Sequence, residues 1–190
     1  MSKLYYRYGA MGSGKTALLL QVIHNYEEKN MKVLLIKPSI DTKGEKSVVS
    51  RIGLNREVDI LLKANDSILD IDNFEIINAI IVDEAQFLQP KQVDELYVIS
   101  KLYNIPVLCY GLRTDFKMQG FLGSTRLLQI ADDIEELKTI CKCGLKATQN
   151  IRKINGKVIF DGEQIFIDNS QNVEYESVCG KCYLDLLNQK

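Results

Sequence analysis

The chain has 190 residues, of which 46% are hydrophobic, enough for one domain, or for one domain with a small appendage, around a buried core. Its 24 basic and 25 acidic residues leave a formal net charge of -1, which disfavours non-specific binding to nucleic acid or to an anionic membrane. No apolar run approaches about 18 residues, and the N-terminus has no basic segment followed by an apolar stretch, so we expect a cytoplasmic protein.

A phosphate-binding loop is predicted near the N-terminus, where the strand-like residues 4–8 lead into the sequence GAMGSGKT, residues 9–16. Glycines in the pattern G-x-x-x-x-G-K-T let backbone N–H groups turn inward around the phosphates of a nucleotide. Lys15 would reach the terminal phosphates, and Thr16 would coordinate Mg2+. Residues 16–30 have apolar side chains at helical spacing, and this strand–loop–helix setting favours a nucleotide site over a simple glycine-rich turn. The predicted ATP contacts in the loop are Gly9, Ala10, Met11, Gly12, Ser13, Gly14, Lys15 and Thr16.

Aliphatic runs alternate with helical patterns over the next hundred residues. Three further strands are predicted, at residues 32–38, 78–87 and 105–111. Helices are predicted at residues 90–104, which begin with a proline, and at about 123–131. Residues 134–140 would form the last strand of the sheet. This alternation predicts an α/β fold with a parallel sheet and helices on both faces.

A second nucleotide motif is predicted where the apolar residues 79–82 run into Asp83 and Glu84. Ligands of open α/β sheets bind at the carboxyl ends of the strands. Asp83 would hold hydrated Mg2+, and Glu84 would accept a proton from the nucleophile or orient it. The alternative is that both acids are solvated and open a turn before Pro90. Together the two motifs predict Mg-nucleotide binding with phosphoryl transfer, but they do not identify the acceptor.

The pattern changes after Cys141, where Asn155 and Gly156 separate two β-prone stretches, as in a two-residue hairpin turn. We therefore predict a P-loop domain over residues 1–139. Residues 140–190 would form a small β-rich module held together by its cysteines, because about fifty residues cannot easily bury a core unaided.

Four of the five cysteines form two tight pairs, Cys141 with Cys143 and Cys179 with Cys182. Four thiolates make a closed, structural zinc site. The C-x-C spacing of the first pair is tighter than usual, so buried free thiols and a redox pair remain alternatives. Cys109 lies in an aliphatic run and is interpreted as a core residue. His24, the only histidine, is not expected to be a metal ligand.

Four sequence segments follow GAMGSGKT along the chain. In order they are IKPSIDTKGEKSVVSRIGL, DEAQFL, CYGLRTDFKMQGFLGS and YESVCGKCY. In this order and spacing the chain resembles the cytosolic-type (type II) thymidine kinases, from about residue 4 to residue 184, and the C-x-C pair is similar to the bacterial branch. The resemblance implies a RecA-like P-loop core with a zinc-bearing lasso loop that closes over the nucleoside. It implies transfer of the γ-phosphoryl of ATP to the 5'-hydroxyl of thymidine, and of deoxyuridine, giving dTMP in nucleotide salvage for DNA synthesis.

The resemblance also implies roles for individual residues. Glu84 matches the catalytic base of the family, and Arg51 and Asp41 match polar positions that face the phosphates and the metal. Further contacts with ATP are implied for Asp83, Glu84, Ala85 and Gln86. The thymine pocket would be lined by Met11, Phe87, Leu112, Phe116 and, from the lasso, Tyr175. Family members are homotetramers, or dimers in some bacterial cases, which implies a homo-oligomer here.

The chain departs from the family pattern at three further places. Lys43 replaces an arginine, so a single ammonium stands where a planar fork is usual. Arg113 stands where an aspartate is common. A pair of glycines usually precedes the lasso tyrosine, but here the lasso carries Asp168, Asn169 and Ser170, which predict a different backbone path.

Two other functional classes fit part of these patterns. A P-loop ATPase with a zinc ribbon acting on nucleic acid would explain DEAQ and the four cysteines. The chain is too short for a second motor domain and has no basic excess, which disfavours this class. A non-catalytic nucleotide sensor would leave Glu84, next to Asp83, without a purpose.

Overall fold

The computed structural model describes residues 1–39, 46–165 and 172–188. Its strands are β1 (Leu4–Tyr8), β2 (Val33–Pro38), β3 (Ser47–Val49), β4 (Asn55–Glu57), β5 (Ile60–Leu62), β6 (Ala79–Val82), β7 (Val107–Gly111), β8 (Asp133–Glu136), β9 (Thr139–Ile140), β10 (Lys146–Ala147), β11 (Gln149–Ile154), β12 (Lys157–Ile159) and β13 (Val173–Val178). Its α-helices are α1 (Lys15–Glu27), α2 (Pro90–Leu102), α3 (Leu122–Ile130) and α4 (Gly180–Leu187). Single 3-10 turns lie at Ile68–Asp70, Phe74–Ile76 and Ala85–Phe87. Within the described residues, no helix combines the length and the apolar character needed to cross a membrane.

A six-stranded parallel sheet with the order β5-β2-β6-β7-β1-β8 forms the centre of the fold. Every residue of β6 and β7 is buried, because both faces of these central strands are covered. Helices α2 and α3 pack on one face, where Leu96 and Leu127 join the core with Ile80. Helix α1 packs on the other face, where Leu19 contacts the core around Ile81. The predicted parallel sheet with helices on both faces is confirmed.

Two predicted strands end earlier than expected. The strand predicted at residues 78–87 stops at Val82, because Glu84 takes a left-handed φ of 52° and starts a 3-10 turn. The strand predicted at residues 134–140 is divided, since β8 ends at Glu136 and β9 pairs antiparallel with β10 outside the large sheet. In the first place the prediction extended a strand into a 3-10 turn, and in the second it joined two strands that pair with different partners.

Several elements were not predicted, because they are short or polar. Strand β5 forms an edge of the large sheet, and β3 pairs with β4 in a separate hairpin. Helix α4 begins directly after Cys179, which accepts a hydrogen bond from the N–H of Cys182.

The C-terminal part contains the predicted hairpin between β11 and β12. Asn155 and Gly156 have φ values of 49° and 79°, so both turn residues are left-handed, as the two-residue turn requires. Strand β13 pairs with the other edge of β11, and Arg152 lies opposite Tyr175 in the register. The core here is small, consisting of Cys141, Ala147, Ile151, Phe160, Val178, Cys179 and Tyr183.

Candidate active site

The phosphate-binding loop (residues 9–14) connects β1 to α1 at the carboxyl edge of the sheet. Gly12 and Gly14 have φ values of 75° and 78°, in the left-handed region that favours glycine. A Cβ at Gly9 would collide with the carbonyl oxygen of Leu137 and with the Oγ of Ser13, so this position also needs glycine. The loop therefore has the backbone geometry that the glycine pattern predicts.

Lys15 lies over the phosphate-binding loop. Its Nζ donates to the carbonyl oxygens of Gly9 and Ala10, at 3.0 and 2.9 Å. Burial lowers the pKa of Lys15, while the nearby negative charges of Glu84 and Asp83 oppose this shift. The ammonium group therefore lies against the loop, within range of the charges of both acids, although the acids follow a different strand.

Asp83 is 6% exposed at the end of β6, and its N–H donates to the carbonyl oxygen of Ile36, at 3.0 Å. Burial, followed by repulsion from Glu84, raises the pKa of Asp83 to about 7. Lys37 and Lys15 oppose this rise without cancelling it. A buried carboxylate with too little compensating positive charge is a suitable oxygen ligand for a divalent cation, so the site fits Mg2+.

Glu84 is half-buried next to Asp83, and its Oε2 accepts a hydrogen bond of 2.5 Å from the Nε2 of Gln86. Ala85 is buried in the same 3-10 turn. Thr16 is half-buried in the first turn of α1. The predicted nucleotide residues therefore follow two strands, β1 and β6, which lie on either side of β7.

Arg51 also reaches the phosphate-binding loop. Its Nη1 lies 3.5 Å from the place where a Cβ on Gly12 would be, and its charge contributes to lowering the pKa of Lys15. This supports the sequence-based placement of Arg51 near the phosphates. Asp41 and Lys43 lie outside the described residues.

Three of the residues predicted for the thymine pocket lie next to strand β11. The N–H of Met11 donates to the Oδ1 of Asn150, at 2.9 Å. Phe116 is 1% exposed, and the guanidinium of Arg152 lies 3.8 Å from the centre of its ring. Tyr175 is opposite Arg152 in the neighbouring strand. These contacts place Met11, Phe116 and Tyr175 along one strand, β11.

The other two pocket residues follow the central strands, Phe87 at the end of the 3-10 turn after β6 and Leu112 directly after β7. The ring of Phe87 packs edge-on against Phe121, with 5.4 Å between the ring centroids. Leu112 is half-buried, and its carbonyl oxygen accepts from the hydroxyl groups of Tyr6 and Ser124. Arg113, one of the departures from the family pattern, lies over the ring of Tyr8, at 5.6 Å from its centroid.

The segment before the predicted lasso is anchored at several points. Arg152 donates to the carbonyl oxygens of Asp161 and Glu163, at 2.9 and 2.8 Å. The Nζ of Lys117 donates to the carbonyl oxygen of Gly162, at 2.8 Å. The Nε2 of Gln164 donates to the Oδ2 of the buried Asp115, at 3.1 Å. Asp168, Asn169 and Ser170 lie outside the described residues.

No sequence pattern predicted Asn150, Arg152 or Asp115 as site residues. Asn150 and Arg152 are buried on the strand β11, together with the apolar Ile151 between them. The available signal was the presence of two polar residues at alternate positions of a β-prone stretch, which places them on one face of the strand.

The four-cysteine cluster (Cys141, Cys143, Cys179 and Cys182) brings its sulfur atoms within 4.8 Å of one another. Four thiolates bound tetrahedrally to zinc at about 2.3 Å would have similar separations, so the cluster can hold a metal ion such as zinc. Hydrogen bonds from the N–H groups of Cys143 and Cys179 lower the pKa of Cys141 to about 7, whereas hydrogen bonds with the other three thiols raise the pKa of Cys182 to about 12. The interpretation of Cys109 as a core residue is confirmed, because Cys109 is buried in β7. His24 lies on α1, and its Nε2 is 3.4 Å from the Oε1 of Glu28, which follows the helix.

Lys15 and Asp83 follow strands separated only by β7, and the loop between β1 and α1 has the backbone that phosphates require. This combination defines a P-loop nucleotide-binding protein of the α/β class. Over residues 2–183 the sequence matches the family model for thymidine kinase, and the chain belongs to the thymidine kinase family. It is therefore an ATP-dependent phosphotransferase.

Several relatives match over almost their whole length. The thymidine kinase of Chromobacterium violaceum is 42% identical, over 96% of this chain and 98% of its own. The thymidine kinase of Mannheimia succiniciproducens is 45% identical, over 94% of this chain and 93% of its own. The thymidine kinase of Enterobacteria phage T4 is 43% identical, over 98% of this chain and 97% of its own.

Among solved structures, Bacteroides Pif1 bound to single-stranded DNA is similar at a TM-score of 0.38 and 15% identity. The match covers 71% of this chain but spans only 38% of the Pif1 chain. A similarity at this level carries no information about function.

Proposed function

We propose that this chain transfers the γ-phosphoryl group of ATP to the 5'-hydroxyl of thymidine, and of deoxyuridine, to give dTMP for DNA synthesis by nucleotide salvage. The observation that carries the proposal is that Asp83 and Glu84 follow β6 at the same edge of the sheet as the loop that holds Lys15, close enough for their charges to act on the pKa of Lys15. Phosphoryl transfer depends mainly on positioning and on charge compensation, and a lysine beside two carboxylates provides the groups for both.

In this proposal the phosphates lie in the phosphate-binding loop, held by the backbone N–H groups of residues 9–14 and by the N-terminus of α1. Lys15 exchanges its contacts with the carbonyls of Gly9 and Ala10 for contacts with the terminal phosphates. Arg51 lies close enough to the loop to add a second positive charge.

Thr16 and Asp83 would hold Mg2+, which supplies charge neutralisation at the β- and γ-phosphates when it is bound. The raised pKa of Asp83 supports this assignment, because a group that ionises with difficulty in the empty site gains most from a bound cation.

Glu84 is proposed as the catalytic base. It accepts the proton of the 5'-hydroxyl while the sugar oxygen forms a bond to the γ-phosphorus, and the bond between that phosphorus and the oxygen of ADP breaks. The acid is half-buried beside Lys15, which supports a position close to the transferred group. Ala85 and Gln86 stay predicted contacts of the nucleotide.

The thymine base is proposed to lie near β11 and the loop after β7. The residues proposed to line its pocket are Met11, Phe87, Leu112, Phe116 and Tyr175. The hydrogen bond from Met11 to Asn150 and the stacking of Arg152 on Phe116 support a site where the phosphate-binding loop meets the C-terminal part.

The four-cysteine cluster is proposed to hold one structural Zn2+, which would tie α4 to β9 and β10 and stabilise the small core around Tyr183. We also propose that the chain divides into residues 1–139 and 140–190. The proposal includes a cytoplasmic location, no nucleic acid as a partner, and a homotetrameric or dimeric assembly.

The test is a panel of nucleosides incubated with the purified protein and Mg-ATP labelled at the γ-phosphate. We expect labelled monophosphate from thymidine and from deoxyuridine. Glu84→Gln should lower kcat by about 100- to 10,000-fold, the usual contribution of a positioned base, with little change in the Kd of ATP. Glu75→Gln, at an exposed glutamate, is the matched control. A normal kcat for Glu84→Gln would remove Glu84 from the role of base.

The alternative function, a P-loop ATPase with a zinc ribbon that acts on nucleic acid, is tested in the same assay by adding DNA. Strong stimulation of ATP hydrolysis by DNA, without any labelled nucleoside monophosphate, would replace the kinase proposal by a nucleic-acid-dependent ATPase. We expect no stimulation, because the chain has a net charge of -1 and no basic excess.

A further inference from the structure

The side chain of Gln86 bridges the proposed base and the backbone after β7. Gln86 is 2% exposed, and its Nε2 donates to the Oε2 of Glu84, at 2.5 Å. Its Oε1 accepts from the N–H of Leu112, at 3.0 Å. A backbone N–H can only donate, so the amide oxygen of Gln86 must face Leu112 and the amide nitrogen must face Glu84. The orientation of the amide is therefore determined by the backbone.

Two glycines make room for this arrangement. A Cβ on Gly111 would lie 2.7 Å from the Oε1 and 3.0 Å from the backbone nitrogen of Gln86. A Cβ on Gly123 would lie 2.5 Å from the carbonyl oxygen of Ala85 and 2.8 Å from that of Leu88. The 3-10 turn is thus packed directly against the end of β7 and the start of α3, at distances that no other residue type allows without displacement.

The backbone of Glu84 is also unusual. Among the described residues, six non-glycine residues have positive φ, and four of them are asparagines, which adopt this region most easily. Glu84, with φ of 52°, has no such intrinsic preference. A left-handed glutamate persists only when its surroundings hold it in place, and such residues cluster at functional sites.

We propose that Gln86 is a positioning residue, whose enclosed amide fixes the carboxylate of Glu84 against the backbone of Leu112. The proposal rests on the proposed function of Glu84 as the base. It gives the side chain of Gln86 a role distinct from contact with the nucleotide, because both ends of the amide are already bonded inside the protein.

Gln86→Met tests this role, since methionine keeps the length and the unbranched shape of glutamine but makes neither hydrogen bond. A carboxylate that is displaced or free to rotate acts less well as a base, and we expect kcat to fall about 10- to 100-fold. The Kd of ATP should stay within about 3-fold, because the side-chain amide is bonded inside the protein at both ends and the predicted contact of Gln86 with the nucleotide is left to its backbone. A normal kcat for Gln86→Met would overturn the proposal and leave the role of Glu84 intact.

A double-mutant cycle separates positioning from a general structural effect. If Gln86 acts through Glu84, adding Gln86→Met to Glu84→Gln should lower kcat by no more than about 3-fold further, since the group being positioned is already gone. Effects that multiply would show that Gln86 acts independently, and would overturn the proposal. A normal kcat for Glu84→Gln alone would instead remove Glu84 from the role of base, and the absence of labelled monophosphate from the unsubstituted protein would overturn the proposed function.

Gly111→Ala is a second variant, and it changes neither Asp83 nor Glu84. Its new Cβ would push the amide of Gln86, so we expect a lower kcat with an unchanged Kd for ATP. Gly180→Ala is the matched control, because a Cβ there meets no atom within 4 Å. Normal kcat in a folded Gly111→Ala protein would count against the proposal, and Gln86→Met decides the matter if Gly111→Ala does not fold.

Discussion

Met11 donates its backbone N–H to the Oδ1 of Asn150, although the two residues are 139 positions apart. Asn150 is 4% exposed, and its Nδ2 also donates to the carbonyl oxygen of Thr114, at 3.4 Å. A single buried amide thus joins the phosphate-binding loop, the strand β11 and the loop after β7. The shape of the phosphate-binding loop therefore depends on the C-terminal part of the chain.

Asn150→Ala should weaken ATP binding. The substitution leaves the N–H of Met11 without its acceptor, and losing the partner of a buried donor costs about 1–3 kcal/mol. Part of this cost falls on the nucleotide-binding state of the loop, so we expect the Kd of Mg-ATP to rise about 3- to 10-fold in isothermal titration calorimetry. Asn65→Ala, in an exposed turn, should leave the Kd unchanged. An unchanged Kd in Asn150→Ala would show that the loop keeps its shape without this bond.

The phosphate-binding loop and the end of β6 could be predicted from the sequence, because their signals are local. The glycine spacing before Lys15 and the apolar run before Asp83 each lie within about ten residues of the side chain that they position. Asn150 and Arg152 carry no such signal. Asn150 contacts Met11 and Thr114, which are 139 and 36 positions away, and Arg152 contacts Phe116 and the carbonyls of Asp161 and Glu163. These contacts depend on the pairing of β11 with β13 and on the chain path after the hairpin, and local periodicity does not encode them.

Each of the two predicted strands that end early does so for a reason that lies outside the local sequence pattern. Turn geometry at Glu84 depends on packing against Gly111 and Gly123, which lie 27 and 39 positions further along the chain. Between β8 and β9 the residues Leu137, Thr139 and Ile140 continue a strand-like pattern, while the pairing partner changes from β1 to β10. A propensity pattern describes strand character and does not describe which strand is the partner.

Asp83→Asn should stabilise the empty protein at neutral pH while it removes the proposed Mg2+ ligand. Burial and the charge of Glu84 raise the pKa of Asp83 to about 7, above that of an unfolded chain. Between about pH 4 and 7 the folded protein therefore holds a proton that the unfolded chain has lost, so stability falls as the pH rises through this window. We expect the Tm of Asp83→Asn to exceed that of the unsubstituted protein at pH 8, and the difference to shrink towards pH 4.

Asp66→Asn, at an exposed carboxylate, is the comparison for a general effect of charge. Differential scanning calorimetry at several pH values, without nucleotide or Mg2+, measures the difference in Tm between each variant and the unsubstituted protein. A Tm gap between Asp83→Asn and the unsubstituted protein that does not change with pH would contradict the proposed burial effect. Loss of Mg-dependent ATP binding in the same variant is expected from the proposed role.

Cys182→Ser should remove the metal and destabilise the C-terminal part. The four sulfur atoms lie within 4.8 Å of one another, and one hydroxyl in place of a thiolate weakens a structural zinc site strongly. We expect elemental analysis to find about one zinc per chain in the unsubstituted protein and much less in the variant, with a lower Tm. Cys109→Ala, at the cysteine outside the cluster, should keep its zinc. A protein that is free of metal and equally stable would point to buried thiols without a structural ion.

Arg152→Met should raise the KM for thymidine more than the KM for ATP. The guanidinium holds the carbonyl oxygens of Asp161 and Glu163, just before the predicted lasso, and lies 3.8 Å from the centre of the Phe116 ring. Methionine keeps the stacking area and loses both hydrogen bonds, so the segment leading into the lasso should be less well positioned, with a KM for thymidine about 5- to 20-fold higher. Arg152→Lys should recover little, because a single ammonium lacks the planar fork that reaches two carbonyls. Steady-state kinetics with each substrate varied in turn measures the two KM values separately. The control is Lys157→Met, at an exposed position of the neighbouring strand β12. An equal rise in both KM values would place the effect of Arg152 on the whole site and not on the thymidine side.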